Sequence, residues 1–478
     1  MSFDDLLNAI EGPGEWALGV VGAIFLMFMI ARRKSNRHRN QLEKKSQRQD
    51  LIVEWSKGPG GQIAVQPWME TEAVKSVLAA ITKDGKEARF IGGCVRNALM
   101  KEPVVDVDIA SQEKPEQVMR LLEESGIRAI PTGISHGTVT AVVGDQSYEI
   151  TTLRKDIKTD GRHAVVEFTE DWKTDAARRD FTFNTLSATP DGMIHDYFNG
   201  IQDLANRIIR FVGRVDERIA EDRLRILRYF RFIAVYGMRI EDVVEFQTCI
   251  NQSHHLKDLS AERIRSELFK ILASDNQFDA VRLMINHGVM SHILPEATLS
   301  ERLRRVTWLE TSAIKLDAVQ PVALRRLAAL IDTESTDAEA LCDRLKLPNA
   351  ERQRLCAIID PEWQIDPGVS ENELRRRLYQ LGAETVIDLA LLEWSRRLVI
   401  TPKLRREETD GWLAIIAVAD EWEEIPFPLR GQDVLDLGVA ASPSVAGFLQ
   451  TVKAWWTEGG CRADRTACLR RLKECVDG

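Results

Sequence analysis

Cysteine is scarce and unpatterned: seven are scattered over 478 residues, an odd number with no Cys-x-x-Cys. That excludes a disulfide framework and a cysteine-built zinc site, and makes a reducing cytosol the simplest setting. An excess of positive charge is also missing, because 64 Lys and Arg stand against 73 Asp and Glu for a net charge of −9. Such a balance does not advertise a nucleic-acid binder, but a local basic surface rather than the sum governs that binding. Long apolar runs are absent apart from one near the N-terminus. A polytopic membrane fold is thereby excluded, and 44% hydrophobic with 29% charged residues is the make-up of a folded globular chain. No internal repeat of fixed period is evident, and the length leaves room for two or three domains.

What is present centres on Arg89 to Ser111, ARFIGGCVRNALMKEPVVDVDIAS with its leading alanine. The pattern predicts a strand over Ala88 to Ile91, a Gly-Gly turn, a short helix from about Cys94 to Met100 and a second strand from Val104 to Ile109. On that second strand Asp106 and Asp108 project to one face, with Val105, Val107 and Ile109 on the other. Two neighbouring carboxylates repel unless a cation lies between them, which points to a hard divalent metal. Gly92 and Gly93 remove the Cβ atoms that hold a ligand off the backbone, and they open a helix whose free N–H groups favour an anion. Arg96 follows one turn into that anion site. A metal site beside a phosphate cradle is the chemistry of nucleotide transfer.

Gly92-Gly93-Cys94-Val95-Arg96-Asn97 with Asp106-Val107-Asp108 resembles the head of the class II tRNA nucleotidyltransferase and bacterial poly(A) polymerase family, within the polymerase-β-like nucleotidyltransferases. Asn97 stands where that family has Asp. Arg178-Arg179-Asp180-Phe181-Thr182-Phe183-Asn184 resembles a second family signature, and Arg179 is the residue expected on the triphosphate, since a guanidinium forks onto phosphate oxygens. The resemblance implies an α+β chain: a small α/β nucleotidyltransferase head, then an all-α neck, body and tail. It further implies Mg²⁺ held by Asp106 and Asp108, with CTP, ATP and the 3′ end and acceptor arm of tRNA as substrates. Pro131 to Val139, containing His136, is closer to CCA-adding enzymes than to poly(A) polymerases. His136 itself is read as structural, because no partner carboxylate can be assigned to it.

Short helical and β-rich runs alternate through the rest of the expected head, residues 65–212. Glu149 lies on a strand expected to be central, with Tyr148 and Ile150 around it. As a third acid beside Asp106 and Asp108, or as base for the attacking hydroxyl, it has a reason to be there, and Asp180 is its rival. Asp156 to His163 resembles the family's mobile loop beside the active site.

The neck is expected over 213–275, with a helix from Glu221 to Phe232. Asp222, Arg225, Arg228 and Arg231 recur every three residues along it, a ridge that winds by about 60° per step, so all four cannot meet one ligand equally. Cytosine and adenine both present an amino donor beside a ring-nitrogen acceptor; a carboxylate accepts from the first and a guanidinium donates to the second. Uracil and guanine reverse both groups. Asp222 and Arg225 are therefore expected to read the base, which matches the family's Glu-Asp-x-x-Arg template, while Arg228 and Arg231 reach toward phosphate. Ala261 to Leu268 resembles the family helix that supports this template.

From 276 to 478 helix follows helix, an expected RNA-binding body and tail. Arg325-Arg326, Arg375 to Arg377, Arg396-Arg397 and Lys403 to Arg406 are its candidate phosphate contacts, although each such cluster alone is more often a solvated helix face. This half has no His-Asp dipeptide of the phosphohydrolase kind. At the other end, residues 1–31 contain the uncharged stretch Trp16 to Ala31, slightly short of the roughly 20 residues that span a bilayer. Arg32-Arg33-Lys34 follow it and Asp4, Asp5, Glu11 and Glu15 precede it, so a transmembrane helix over 16–31 is expected, with a cytoplasmic enzyme tethered to the inner face of the membrane. A buried hydrophobic hairpin is the alternative. Residues 32–64 have linker composition. The expected activity is CCA addition to tRNA; poly(A) polymerase or partial CC- or A-addition is the rival within the class, and a non-catalytic membrane-tethered RNA-binding protein is the rival outside it.

Overall fold

The computed structural model describes residues 61–160, 163–298, 300–331 and 337–477. The segment expected to cross a membrane, 16–31, and most of the linker lie outside the described residues; among those described, no helix is long and apolar enough to span a bilayer. Contacts divide the chain at Leu204, with residues 165–204 joining those up to 157, and 158–164 grouping with 205 onward. The sequence reading puts the corresponding boundary near Val212.

The first unit is a mixed α/β layer. In chain order it contains α1 (Glu72–Ile81), β1 (Ala88–Ile91), α2 (Gly93–Met100), β2 (Asp108–Ser111), α3 (Pro115–Glu124), β3 (Arg128–Gly133), β4 (Thr138–Val143) and β5 (Gln146–Thr152). Then come β6 (Arg154–Asp160), β7 (His163–Phe168), α4 (Trp172–Ala177), β8 (Ser187–Ala188), β9 (Ile194–His195) and α5 (Gly200–Ala205). Seven strands form one sheet in the order β3-β4-β5-β2-β1-β8-β9, and β6 pairs with β7 separately. Every neighbour pair in the large sheet is antiparallel except β2 with β5. β1 is buried along its whole length, as a strand in mid-sheet should be, and its one charged residue, Arg89, is paired with Glu87 at 2.7 Å. α3 packs on β3 and β4 and against α1, burying Val118, Leu121 and Leu122. The stretch expected as a mobile loop, Asp156 to His163, instead contributes to the two arms of the β6–β7 hairpin.

The second strand starts later than its alternation predicts. β2 runs from Asp108 to Ser111, and residues 104–107 precede it without ladder partners. The partners decide this: β1 ends at Ile91 at the Gly92 turn and covers β2 only as far as Phe90 with Ile109, and β5 carries the pairing one residue further, to Asp108 with Glu149. Val105, expected to face a core, is 86% exposed. Asp106 is exposed with it, just before the start of β2.

The second unit is almost entirely helical. It opens with β10 (Ile208–Ile209), α6 (Val215–Glu221), α7 (Arg225–Tyr236), β11 (Arg239–Ile240), α8 (Val243–Asn251), α9 (Ala261–Ala273), α10 (Gln277–Asn286) and α11 (Ser300–Trp308). It continues through α12 (Ala323–Leu330), α13 (Ala338–Leu345), α14 (Asn349–Ile359), α15 (Glu371–Leu381), α16 (Ala383–Ile400), α17 (Arg406–Asp420), α18 (Gly431–Leu435), α19 (Ser444–Glu458) and α20 (Arg465–Asp477). α7 buries Ile226, Leu227, Tyr229, Phe230, Phe232 and Ile233 and packs on α9 and α10. Trp456, Val434, Val452 and Leu472 make a separate small core for the tail.

Two expectations about this unit are corrected. The helix anticipated over Glu221 to Phe232 is broken at Asp222, whose backbone is extended (φ −152°, ψ 107°), and α7 begins only at Arg225. Asp222 accepts a hydrogen bond from the backbone N–H of Leu224 at 3.1 Å, the local alternative to helix that short acidic side chains favour. Arg325 and Arg326 are not RNA contacts on a helix face: they are 2% and 0% exposed. Glu310 receives Arg325 at 2.6 Å and Arg326 at 2.7 Å, and Asp388 receives Arg325 at 2.6 Å and Arg354 at 2.7 Å. Charges that deep persist only when paired, and α12 is apolar enough on the remaining positions to be buried on nearly all sides.

Candidate active site

Register brings the acidic residues of the first unit together. Asp108 at the start of β2 pairs directly with Glu149 in mid-β5, and Asp106 stands two residues upstream. Half-buried Asp108 has its carboxyl pushed above the ordinary range, first by burial and then by Glu149, with Asp106 adding to the effect; Arg179 and Arg96 oppose it. Negative charge is therefore concentrated here beyond what its surroundings neutralise, and oxygen donors of that kind suit a hard divalent cation. Among the described residues no group of three or more His, Cys, Asp and Glu forms a metal cage. A cation at Asp106 and Asp108 would complete its shell with substrate phosphate and water, which is the habit of Mg²⁺.

The positive side of the site is built on the Gly-Gly turn. Gly92 has φ +64°, and a Cβ there would lie 3.5 Å from Arg179 Nη1, so glycine lets the guanidinium rest against the turn. α4 ends in Arg178, and Asp175 holds both arginines: Arg178 Nε donates to its Oδ1 at 2.9 Å and Arg179 Nη2 to its Oδ2 at 3.0 Å. Burial alone pushes the Asp175 carboxyl up, but the two guanidiniums outweigh it and hold the group below its usual value. Arg154 adds a third cation beside them: burial and Arg178 lower it to about 10, and it donates to the His136 carbonyl.

Arg96 is 8% exposed and braced rather than extended. It donates to Asn184 Oδ1 at 2.7 Å and to Asn97 Oδ1 at 2.9 and 3.2 Å. Asn97 in turn donates to the Pro103 carbonyl at 2.9 Å. Asp180, the rival for third acid, accepts from Asn184 Nδ2 and from the Phe181 N–H, each at 2.9 Å. The two sequence signatures thus lock together through Arg96 and Asn184, and the carboxylate paired with Asp108 across the sheet is that of Glu149.

In the second unit, Asp222 receives Leu224 N–H on Oδ1 and Arg263 Nη2 on Oδ2 at 2.7 Å. Arg225 donates to Glu221 Oε2 at 2.7 Å and to the Arg218 carbonyl at 3.0 Å. Arg228 lies over the Phe232 ring at 5.8 Å, and Arg231 over the same ring at 4.4 Å with its Nε on Glu267 at 2.5 Å. The four residues of the expected ridge therefore differ in setting: Asp222 and Arg225 flank the break between α6 and α7, whereas Arg231 is turned to α9.

The chain is similar to known proteins. The family described as Poly A polymerase head domain matches residues 88–210, and that described as Probable RNA and SrmB-binding site of polymerase A matches 237–300. Mitochondrial CCA tRNA nucleotidyltransferase 1 of Mus musculus is 33% identical over 411 residues, covering 84% of this chain and 90% of that protein. The chain belongs to the CCA tRNA nucleotidyltransferase family. Within this family, the CCA-adding enzyme of Lactobacillus delbrueckii subsp. bulgaricus is 39% identical over 215 residues, 45% of this chain and 53% of that protein. The crystal structure of the Bacillus stearothermophilus CCA-adding enzyme in complex with CTP superposes with a TM-score of 0.66 at 25% identity, over 86% of this chain and 98% of that one. The mixed α/β head and helical body are thus those of a CCA-adding nucleotidyltransferase, and the chain is an enzyme of that class.

Sequence reasoning overlooked Asp175, Arg154 and Arg263. Asp175 had a legible signal, standing three and four residues before Arg178 and Arg179 at the spacing of helical neighbours. Arg263 lies in the stretch Ala261 to Leu268 expected to support the template, but its particular partner, 41 residues away, was not legible.

Proposed function

We propose that this CCA tRNA nucleotidyltransferase adds C, C and A to the 3′ end of tRNA from CTP and ATP, releasing pyrophosphate. What carries the reading is likeness to a protein named for that reaction, sustained over 84% of the chain. Asp106 and Asp108 are the residues that would hold Mg²⁺, which supplies Lewis-acid activation of the terminal hydroxyl and neutralises charge on the triphosphate. Glu149, beside Asp108, is placed to complete the acidic cluster or to take the hydroxyl proton. The Gly92-Gly93 turn, through the Gly93 N–H since that of Gly92 donates to the Leu186 carbonyl at 3.1 Å, and the guanidinium of Arg179 receive the triphosphate, with Arg96 adding positive potential from its braced position and Arg228 a further phosphate contact. Asp222 accepts from the amino group of cytosine or adenine while Arg225 donates to the adjacent ring nitrogen. Uracil or guanine leaves both protein groups facing their own kind, a mismatch that costs far more than a lost methylene. Arg231, held by Glu267, supports this pair.

The decisive assay supplies Mg²⁺, a tRNA transcript ending before CCA, and CTP and ATP separately and together. Three added nucleotides only with both substrates is the expected result. A long A tail from ATP alone would make the chain a poly(A) polymerase, in keeping with the name of its head family; a single added step would make it a partial CC- or A-adding enzyme, and no extension by folded protein would leave an RNA-binding protein. We further infer from the sequence of residues 16–31 that the enzyme is tethered to a membrane. Retention in the membrane pellet after alkaline extraction is expected of the full chain, and release into the supernatant would refute the tether.

A further inference from the structure

We propose that Cys342 and Cys356 are a modification site, a thiol pair that a low-molecular-weight disulfide of the glutathione class oxidises to one intramolecular disulfide, stapling the helical hairpin of α13 and α14.

All seven cysteines are free thiols. Among the described residues Cys342 and Cys356 alone bring sulfur against sulfur, Sγ to Sγ at 3.8 Å. Fourteen residues and a turn separate them in the chain, so their spacing matches no short cysteine motif. α13 ends at Leu345, Lys346 takes the left-handed conformation, and Pro348 precedes α14, so the chain doubles back and the two helices pack on each other. Leu341 and Leu345 are buried on the first helix, and Leu355, Ile358 and Ile359 on the second. Arg352 of α14 pairs with both Glu339 and Asp343 of α13, which flank Cys342 on its helix. Cys356 stands one turn beyond Arg352. Packing and an ion pair of the same hairpin therefore hold the sulfurs together.

Their settings order the chemistry. Cys342 is buried and Cys356 only half-buried, so Cys356 meets the oxidant first. Its S–H donates to Glu339 Oε1 at 3.4 Å. Deprotonated, Cys356 attacks one sulfur of glutathione disulfide, whose S–S bond breaks; one glutathione thiolate leaves and takes up a proton, and a mixed disulfide remains on Cys356. Cys342 then gives up its proton and attacks the Cys356 sulfur, expelling the second glutathione. Two protein thiols have lost two hydrogens, and the reagent has gained them as two glutathione thiols. Burial pushes both thiols up, Cys356 to about 12 with Cys342 and Glu339 adding to the effect. Formation is slow in consequence, because the thiolate is the nucleophile. The reduced pair also lacks the thiolate stabilisation that makes some dithiols strongly oxidising, so the disulfide persists once made. Closing this loop restricts the unfolded chain while the native hairpin is already in place, and the bond stabilises the protein.

The test incubates the full chain for hours with glutathione disulfide, blocks remaining thiols with iodoacetamide, and weighs the digested peptides by mass spectrometry. Expected is a crosslinked peptide pair carrying Cys342 and Cys356, lighter by two hydrogens than its reduced components and split by dithiothreitol. Oxidation should raise the melting temperature by about 2–6 °C, and dithiothreitol should reverse the rise. Cys356→Ser should give neither crosslink nor shift. Cys342→Ser should stop at the mixed disulfide, with one glutathione retained on Cys356; Cys342→Ala takes its place if the serine variant does not fold by circular dichroism. Glutathione retained on Cys356 of the wild-type chain without a crosslink, alkylation of both cysteines after the incubation, or a crosslink that lowers the melting temperature would each overturn the inference.

Discussion

Asp108 is held in two opposed ways. Burial and the carboxylates of Glu149 and Asp106 raise its pKa, and a raised acid favours the protonated form in the folded state. The stability it contributes is present at low pH and lost as pH rises through that raised value, so at pH 7 an ionised Asp108 is a liability that a cation relieves. Asp108→Asn should therefore raise the melting temperature of the metal-free protein at pH 7 and abolish the further rise on adding Mg²⁺; an unchanged Mg²⁺ effect would remove the metal from this residue. Protons also compete with the metal, so the Mg²⁺ concentration for half-maximal rate should climb as pH falls. Glu149→Gln takes away one negative neighbour, lowers the Asp108 pKa, and should move that climb to lower pH, as Mg²⁺ titrations across a pH series will show. Asp106→Ala should reduce transfer by about a thousandfold or more, a loss in keeping with removal of a principal charge stabiliser, while gel-shift affinity for tRNA holds. Near-normal turnover would sink the assignment.

At the scale of elements, the turn between β1 and α2 does two jobs. It ends β1 early, which leaves Asp106 beyond the ladder and open to ligand, and it lets Arg179 approach the backbone. Gly92→Ala introduces a side chain at φ +64°, where strain costs roughly 1–3 kcal/mol, and sets a methyl in contact with the Arg179 guanidinium. A lower melting temperature together with a higher KM for both nucleotides is expected; a stability loss with unaltered KM would mean the turn does not cradle phosphate. α4 is the matching support, since Asp175 fixes the two arginines from below by bonds to both its oxygens.

For the molecule as a whole, stability and catalysis are carried by different charges. The ion cluster of Glu310, Asp388, Arg325 and Arg326 lies among helices of the second unit, with Arg326 also donating to the carbonyls of Leu272 and Ser274. Glu310→Ala leaves buried Arg326 without a carboxylate partner and Arg325 with Asp388 alone, and should destabilise the protein by about 3–5 kcal/mol in urea melts. Turnover per folded molecule should stay near wild type, and a selective loss of tRNA affinity without destabilisation would show that the cluster serves RNA after all. Other basic runs follow the same pattern: Arg397 is paired with Asp366, Glu393 and Glu408, and Arg377 with Glu373.

The amino-acid sequence by itself determined the local chemistry. The Gly92-Gly93 turn, the Asp106/Asp108 pair, the Arg178-Arg179 signature and the helical texture after Gly213 are set within a few residues each, by backbone permissiveness and short-range spacing. Tertiary structure decided what depends on partners far along the chain. Alternation extends a strand as far as the pattern lasts, but only the partner strands could say where pairing stops: at Ile109 against β1 and at Asp108 against β5, both short of Asp106. A three-residue spacing of charges reads as one helix, yet Asp222 leaves the helix because its own side chain bonds a nearby backbone N–H and Arg263 waits 41 residues away. Paired arginines look alike on paper whether they meet water or carboxylates; Arg325 and Arg326 are buried because acids from α16 and the turn after α11 neutralise them, and charge burial is settled by packing, not by neighbours in sequence.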